Sequence, residues 1–86
     1  MLYEVLYHPD VVRRDIPRIS PPFRERIEKA IESKLKTSPE FFGEPLRRTL
    51  KGYWKLRVGD YRVIYKIKGR SVSILRIGHR REVYQA

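Results

Sequence analysis

The chain has no cysteine, no asparagine, a single glutamine and two histidines among its 86 residues. Without thiols it can form neither a disulfide staple nor a thiolate zinc site, and a reducing, cytoplasmic setting is compatible with that lack. With only His8 and His79 and no close carboxylate cluster, no metal or organic cofactor is expected. Long apolar runs are missing as well. The stretch MLYEVLYHPD carries Glu4 among its apolar residues, which argues against a secretory leader or a membrane span. A chain of this length forms one domain, residues 1–86, with a thin core, because it buries only about three fifths of its unfolded surface.

Acidic residues are scarce in one half only. Through residue 46, eight Lys and Arg offset eight Asp and Glu; from Arg47 onward twelve Lys and Arg face only Asp60 and Glu82, so this half carries the whole net charge of +10. A solvated surface normally mixes both signs, as the first half does. An excess of one sign repels itself, and a polyanion or an acidic protein partner lying against it relieves that repulsion. The rival reading is the charge-rich surface of a thermophilic protein, with which the absence of asparagine agrees.

Residues 2–7 alternate, with Tyr3, Val5 and Tyr7 on one side, and suit a first strand ended by His8-Pro9-Asp10. Val12, Ile16 and Ile19 then recur at helical spacing. Pro17 has no amide to donate and biases Ile16 away from the α region, so this helix is short or kinked. Ser20-Pro21-Pro22 signals a second helix start, with the hydroxyl expected to accept from orphan amides. That helix aligns Phe23, Ile27, Ala30, Ile31 and Leu35 on one stripe and pairs Glu25 with Lys29 and Glu32 with Lys36 opposite it. Thr37-Ser38-Pro39 ends it. Residues 40–48, with Gly43 and Pro45, read as a loop with room for a short strand.

Three more strands follow, over 53–58, 61–67 and 71–77. Gly59-Asp60 reads as a two-residue hairpin turn, which sets Val58 opposite Tyr61. Opposed residues share a face. Trp54, Leu56, Val58, Tyr61, Val63, Tyr65 and Ile67 then form the core side, while Tyr53, Lys55, Arg57, Arg62, Ile64 and Lys66 form a basic, solvent-facing side. Arg57 opposite Arg62 is unfavourable by itself, and a bound phosphate would reverse the sign. The last strand is apolar on both sides, the mark of a central strand, so alternation does not assign Arg76 to a face. The expected fold is α+β: an antiparallel, partly mixed four-stranded sheet with an N-terminal pair of helices on one face.

The run Arg57-Val58-Gly59-Asp60-Tyr61-Arg62-Val63-Ile64-Tyr65, followed by Ile77-Gly78-His79-Arg80-Arg81-Glu82-Val83-Tyr84, resembles the RelE branch of the RelE/ParE toxin superfamily. The likeness extends over nearly the whole chain and implies the element order β-α-α-β-β-β. It implies a cytoplasmic toxin that enters the ribosomal A site and cuts mRNA without a metal. A co-expressed, RelB-like antitoxin would silence it, and operator DNA would be met only through the antitoxin complex. In such enzymes the ribose 2′-hydroxyl attacks the adjacent phosphate, leaving a cyclic phosphate and a free 5′-hydroxyl. The step needs a base, cations for the pentacoordinate phosphate and a group to meet the leaving oxygen.

By position in the motif, the resemblance makes Lys55 the general base or a phosphate contact and Arg57 a neighbouring source of positive potential. Arg62 would grip the non-bridging oxygens, Arg80 assist the leaving group and Tyr84 stack on the nucleotide. Lys51, Lys66, Arg76, His79 and Arg81 are further candidate RNA contacts; His79 is also a candidate general acid, though a structural or supporting role for it comes slightly ahead of that. Glu44 lies in a GEPL segment similar to the one that carries a catalytic glutamate in YoeB-like relatives. The chain departs from members with two lysines spaced by one residue, since it has Tyr53 and Lys55 there. Plainer roles stay open: Lys55 and Arg57 as simple phosphate contacts, Tyr84 as a cap on the core. Two other functions also stay open, a ParE-like gyrase inhibitor without nuclease chemistry and a non-catalytic RNA-binding module.

Overall fold

The computed structural model describes residues 2–84. Its strands are β1 (Glu4–Tyr7), β2 (Glu44–Pro45), β3 (Trp54–Val58), β4 (Tyr61–Lys68) and β5 (Ser71–His79), joined in the order β1-β5-β4-β3-β2. β1 runs parallel to β5 and every other pair is antiparallel. The sheet is therefore mixed, as expected, and gains a fifth strand because two residues of the 40–48 loop pair with β3. β5 lies between β1 and β4, the central place expected of it.

Gly59 adopts a φ of +60° in the β3–β4 turn, and Val58 faces Tyr61 as the two-residue turn requires. The core side follows from that register. Leu56, Val63 and Tyr65 are buried, with Trp54, Val58, Tyr61 and Ile67 packed around them. Against them lies helix α1 (Pro21–Ala30), which continues as a wider π-type turn over Ile31–Leu35 and buries Ile27, Ile31 and Leu35. Glu32 and Lys36 form the expected ion pair at 3.0 Å. Ser20 occupies the N-cap position, but its hydroxyl makes no cap bond. The first two helical residues are prolines, so of the two amides a capping hydroxyl can reach only that of Phe23 exists.

The first helical segment differs from its apolar spacing. It is a π-type turn, Val11–Asp15, followed by a 3₁₀ turn, Ile16–Arg18, and it buries Val11, Asp15 and Ile19. Val12, expected on the inner stripe, is 53% exposed. The stripe shifts by one residue because the wide turn closes with Ile16 N–H donating to Val11 O, and because Asp15 is drawn inward to accept from the Ile77 amide at 2.9 Å.

A break in register between Ile64 and Tyr65 puts Leu75 out of pairing. Ile77 thereby shares the core side with Val72 and Ile74, although it is an odd number of residues from both. The same bulge sets Arg76 opposite Ile64, on the side away from α1. Among the described residues no helix is long and apolar enough to cross a membrane.

Candidate functional site

On the side away from α1, the pairing lines up side chains in rows across the strands. One row runs Glu44, Lys55, Ile64, Arg76 across β2, β3, β4 and β5; the next runs Arg57, Arg62, Gly78. A third contains Lys66 opposite Ser73. Neighbouring strands lie about 4.8 Å apart, so the ends of long side chains within a row reach a common ligand.

The place where Glu44 enters this surface depends on the core behind it. Burial pushes the Tyr65 phenol well up from its ordinary range, so the hydroxyl keeps its proton and donates to Pro39 O at 2.7 Å. Pro39 opens the one-turn helix α2 (Pro39–Phe42). A Cβ added to the following Gly43 would overlap the Tyr65 hydroxyl. Only glycine lets the chain pass this close and turn Glu44 into β2, opposite Lys55.

After β5 the chain folds back over the basic side. Arg80 N–H donates to Asp60 O at 2.8 Å, and the amides of Glu82 and Val83 both donate to His79 O at 2.9 Å. Val83 is 4% exposed and sits 3.6 Å from where a Gly78 Cβ would be, so it covers the sheet on the side of Arg62 and Arg57. Arg76 Nη2 donates to Glu82 O at 3.3 Å. This turn delivers the Tyr84 ring to Lys55, whose Nζ lies 5.8 Å from the ring centroid.

The candidate residues thus separate. Lys55, Arg57, Arg76 and Tyr84 come together, with Lys66 in the adjoining row over the Tyr53 ring at 4.6 Å. Arg80 stands at the rim of the hairpin, exposed, its Nε 3.6 Å from Asp60 Oδ1. Lys51 and Arg81 are exposed, in the turn before β3 and in the C-terminal turn respectively.

Two placements correct the sequence reading. Arg62, expected to be solvent-facing, is only 7% exposed, and its Nη1 donates to Gly59 O at 2.8 Å and to Tyr61 O at 2.9 Å. It faces a glycine on β5, and the guanidinium folds onto the carbonyls of its own turn. His79 pairs with Tyr61 on the core side, edge-on to that ring at 5.8 Å, with Nδ1 accepting from the Arg81 amide at 3.2 Å. It therefore does not share the Lys55 row. Glu44 is the residue whose place the sequence understated, and the signal was its GEPL segment. Among the described residues no group of three or more His, Asp or Glu side chains is placed to hold a metal ion.

The chain is similar to known proteins over nearly all of its length. The family model for the ParE toxin of the type II toxin-antitoxin system parDE matches residues 5–84. Toxin RelG of Mycobacterium tuberculosis is 35% identical over 75 residues, covering 85% of this chain and 86% of that protein. Toxin RelE of the same organism is 32% identical over 74 residues, covering 84% and 76%. The crystal structure of the M. tuberculosis toxin-antitoxin complex RelBE2 contains a chain that superposes with a TM-score of 0.86 at 32% identity, covering 92% of this chain and 99% of that one. Fold and sequence agree, and this chain belongs to the RelE/ParE superfamily of type II toxin-antitoxin toxins.

Proposed function

We propose that this toxin is a metal-independent endoribonuclease that enters the A site of the translating ribosome and cuts mRNA. The observation that carries the reading is the meeting of Lys55 with Tyr84, flanked by Arg57 and Arg76 on one side of the sheet. A cation beside an exposed ring suits a phosphate and its base, and single-stranded RNA is held by that combination.

The chemistry distributes over the rows as follows. An ionised carboxylate is an acceptor only, whereas an ammonium carries no acceptor, so Glu44 takes the proton of the 2′-hydroxyl and Lys55 holds a non-bridging oxygen. The 2′-oxygen attacks phosphorus, the bond to the 5′-oxygen breaks, and a 2′,3′-cyclic phosphate forms. Arg57 and Arg76 offset the growing charge on the phosphate. Arg80 leaves Asp60 to stabilise the departing 5′-oxygen, which takes its proton from water. Tyr84 stacks on the base next to the cut. Arg62 contributes charge and braces the Gly59-Asp60 turn from which Arg80 is held.

A RelB-like antitoxin silences the toxin in this reading, and operator DNA is met only through that complex. Support comes from the M. tuberculosis relative, which was solved as a toxin-antitoxin complex, and from the one-signed charge of the second half of the chain. A ribosomal target makes the location cytoplasmic.

Primer extension on mRNA from translating ribosomes treated with the purified protein tests the reading. Cuts at fixed codon positions are expected, with cyclic-phosphate and 5′-hydroxyl ends, reduced at least about 100-fold in Lys55→Ala and in Arg80→Ala. Intact mRNA with gyrase-linked DNA breaks would instead establish a ParE-like inhibitor. Salt-sensitive RNA binding without product would establish a non-catalytic module.

A further inference from the structure

We propose that Tyr53 and Lys66 form a second nucleotide subsite, one step along the sheet from Lys55 and Tyr84, which takes the next base and phosphate of the same single-stranded RNA. The inference rests on the ribonuclease reading for the identity of its ligand and extends it to a site outside the cleavage chemistry.

The two pairs repeat one arrangement. Lys55 Nζ lies 5.8 Å from the Tyr84 centroid, and Lys66 Nζ lies 4.6 Å from the Tyr53 centroid. Lys55 is opposite Ile64 and Lys66 follows Ile64 by two residues on β4, while Tyr53 precedes Lys55 by two on the chain. Side chains two residues apart in a strand share a face and stand about 7 Å from one another. That is a distance an extended single strand spans with one nucleotide.

Charge and exposure suit the same occupant. Lys66 is exposed and Tyr53 half-buried, and the ion pairs of the described residues engage other cations. Ser73, half-buried opposite Lys66, adds a hydroxyl that can donate to a phosphate oxygen or accept from a base. An exposed ammonium over a phenol ring is a weaker contact than a stacked base. A nucleotide therefore exchanges with the ammonium: its base takes the face of Tyr53 and its phosphate draws Lys66 aside. Every base presents a π-face, so the subsite adds affinity without reading sequence.

The test uses 2′-O-methyl oligouridylates, which lack the attacking hydroxyl and stay intact, titrated onto the full chain. Tyr53→Ala and Lys66→Ala are each expected to weaken the tetranucleotide about tenfold and to leave the dinucleotide unchanged, with Tyr53→Phe binding like the unsubstituted protein. Failure of the unsubstituted protein to bind the tetranucleotide, or equal losses for both lengths, would overturn the subsite. In the ribosome assay, cleavage by Tyr53→Ala with an unchanged KM would also overturn it while leaving the nuclease reading standing. Conversely, the length-dependent loss in a protein that cuts no mRNA would retain the subsite and remove the nuclease.

Discussion

The amide of Ile77 donates to Asp15 Oδ2 at 2.9 Å, joining residues 62 positions apart. β1 pairs with β5 only as far as Ile74, and beyond that point the edge of β5 needs another partner. Asp15 supplies it from the first helical segment, 8% exposed and with Arg14 Nε 3.6 Å from its other oxygen. Asp15→Ala leaves a buried amide unpaired and is expected to cost about 1–3 kcal/mol, whereas Asp15→Asn keeps an acceptor and costs less. Urea unfolding measures both; equal midpoints for Asp15→Ala and the parent would refute the assignment.

Gly43 is a position of close approach, because a Cβ there overlaps the Tyr65 hydroxyl. Gly43→Ala is expected to lose about 1–3 kcal/mol through forced displacement of the loop or the ring. The combination with Tyr65→Phe, which removes the clashing oxygen, should lose less than the two single effects added together. Strict additivity in a double-mutant cycle would contradict the contact.

Alkaline stability follows from the same tyrosine. Burial raises the Tyr65 phenol above its ordinary value of about 10, so the folded chain retains a proton that the unfolded chain releases. This contribution is whole below pH about 10 and is lost as the pH climbs toward the folded-state value. Tyr65→Phe removes it, so the gap in unfolding midpoint between parent and variant should narrow above pH about 10. A gap constant across that range would count against the buried, protonated phenol.

Arg62 and Arg80 should part in stability although both belong to the basic half. Arg62→Ala strips partners from the carbonyls of Gly59 and Tyr61 and is expected to destabilise by about 1–3 kcal/mol. Arg80 and Asp60 form an exposed pair, and Arg80→Ala should stay within about 0.5 kcal/mol of the parent while losing cleavage. Thermal unfolding followed by circular dichroism separates them, and a loss of stability in Arg80→Ala as large as that in Arg62→Ala would overturn the distinction.

Local signals were enough for the architecture. The buried stripe of Ile27, Ile31 and Leu35, the Gly59-Asp60 turn and the facing of β3 and β4 follow from short-range periodicity, whereas Phe23, expected on that stripe, is 43% exposed, and Ile64 and Arg62, expected on the solvent-facing side, are buried. Pattern reading faltered at the first helical segment, where a π-type turn moved the stripe from Val12 to Val11, and at β5, where the bulge shifted parity before Arg76. Period-based reasoning presumes regular elements, and both elements are irregular.

By itself the amino-acid order determined a thin α+β domain with a one-sided positive charge and a Lys55-bearing strand facing away from the helices, because composition and a two-residue repeat are properties of neighbours along the chain. Only the tertiary structure decided which cations share a site. Folding the C-terminal turn over Gly78 brought Tyr84 to Lys55 and closed the surface above Arg62, pairing β2 with β3 set Glu44 beside Lys55, and the register at Tyr61 took His79 to the other side. Those meetings depend on contacts between residues far apart in sequence, each set by backbone pairing or by a close approach that no local pattern encodes.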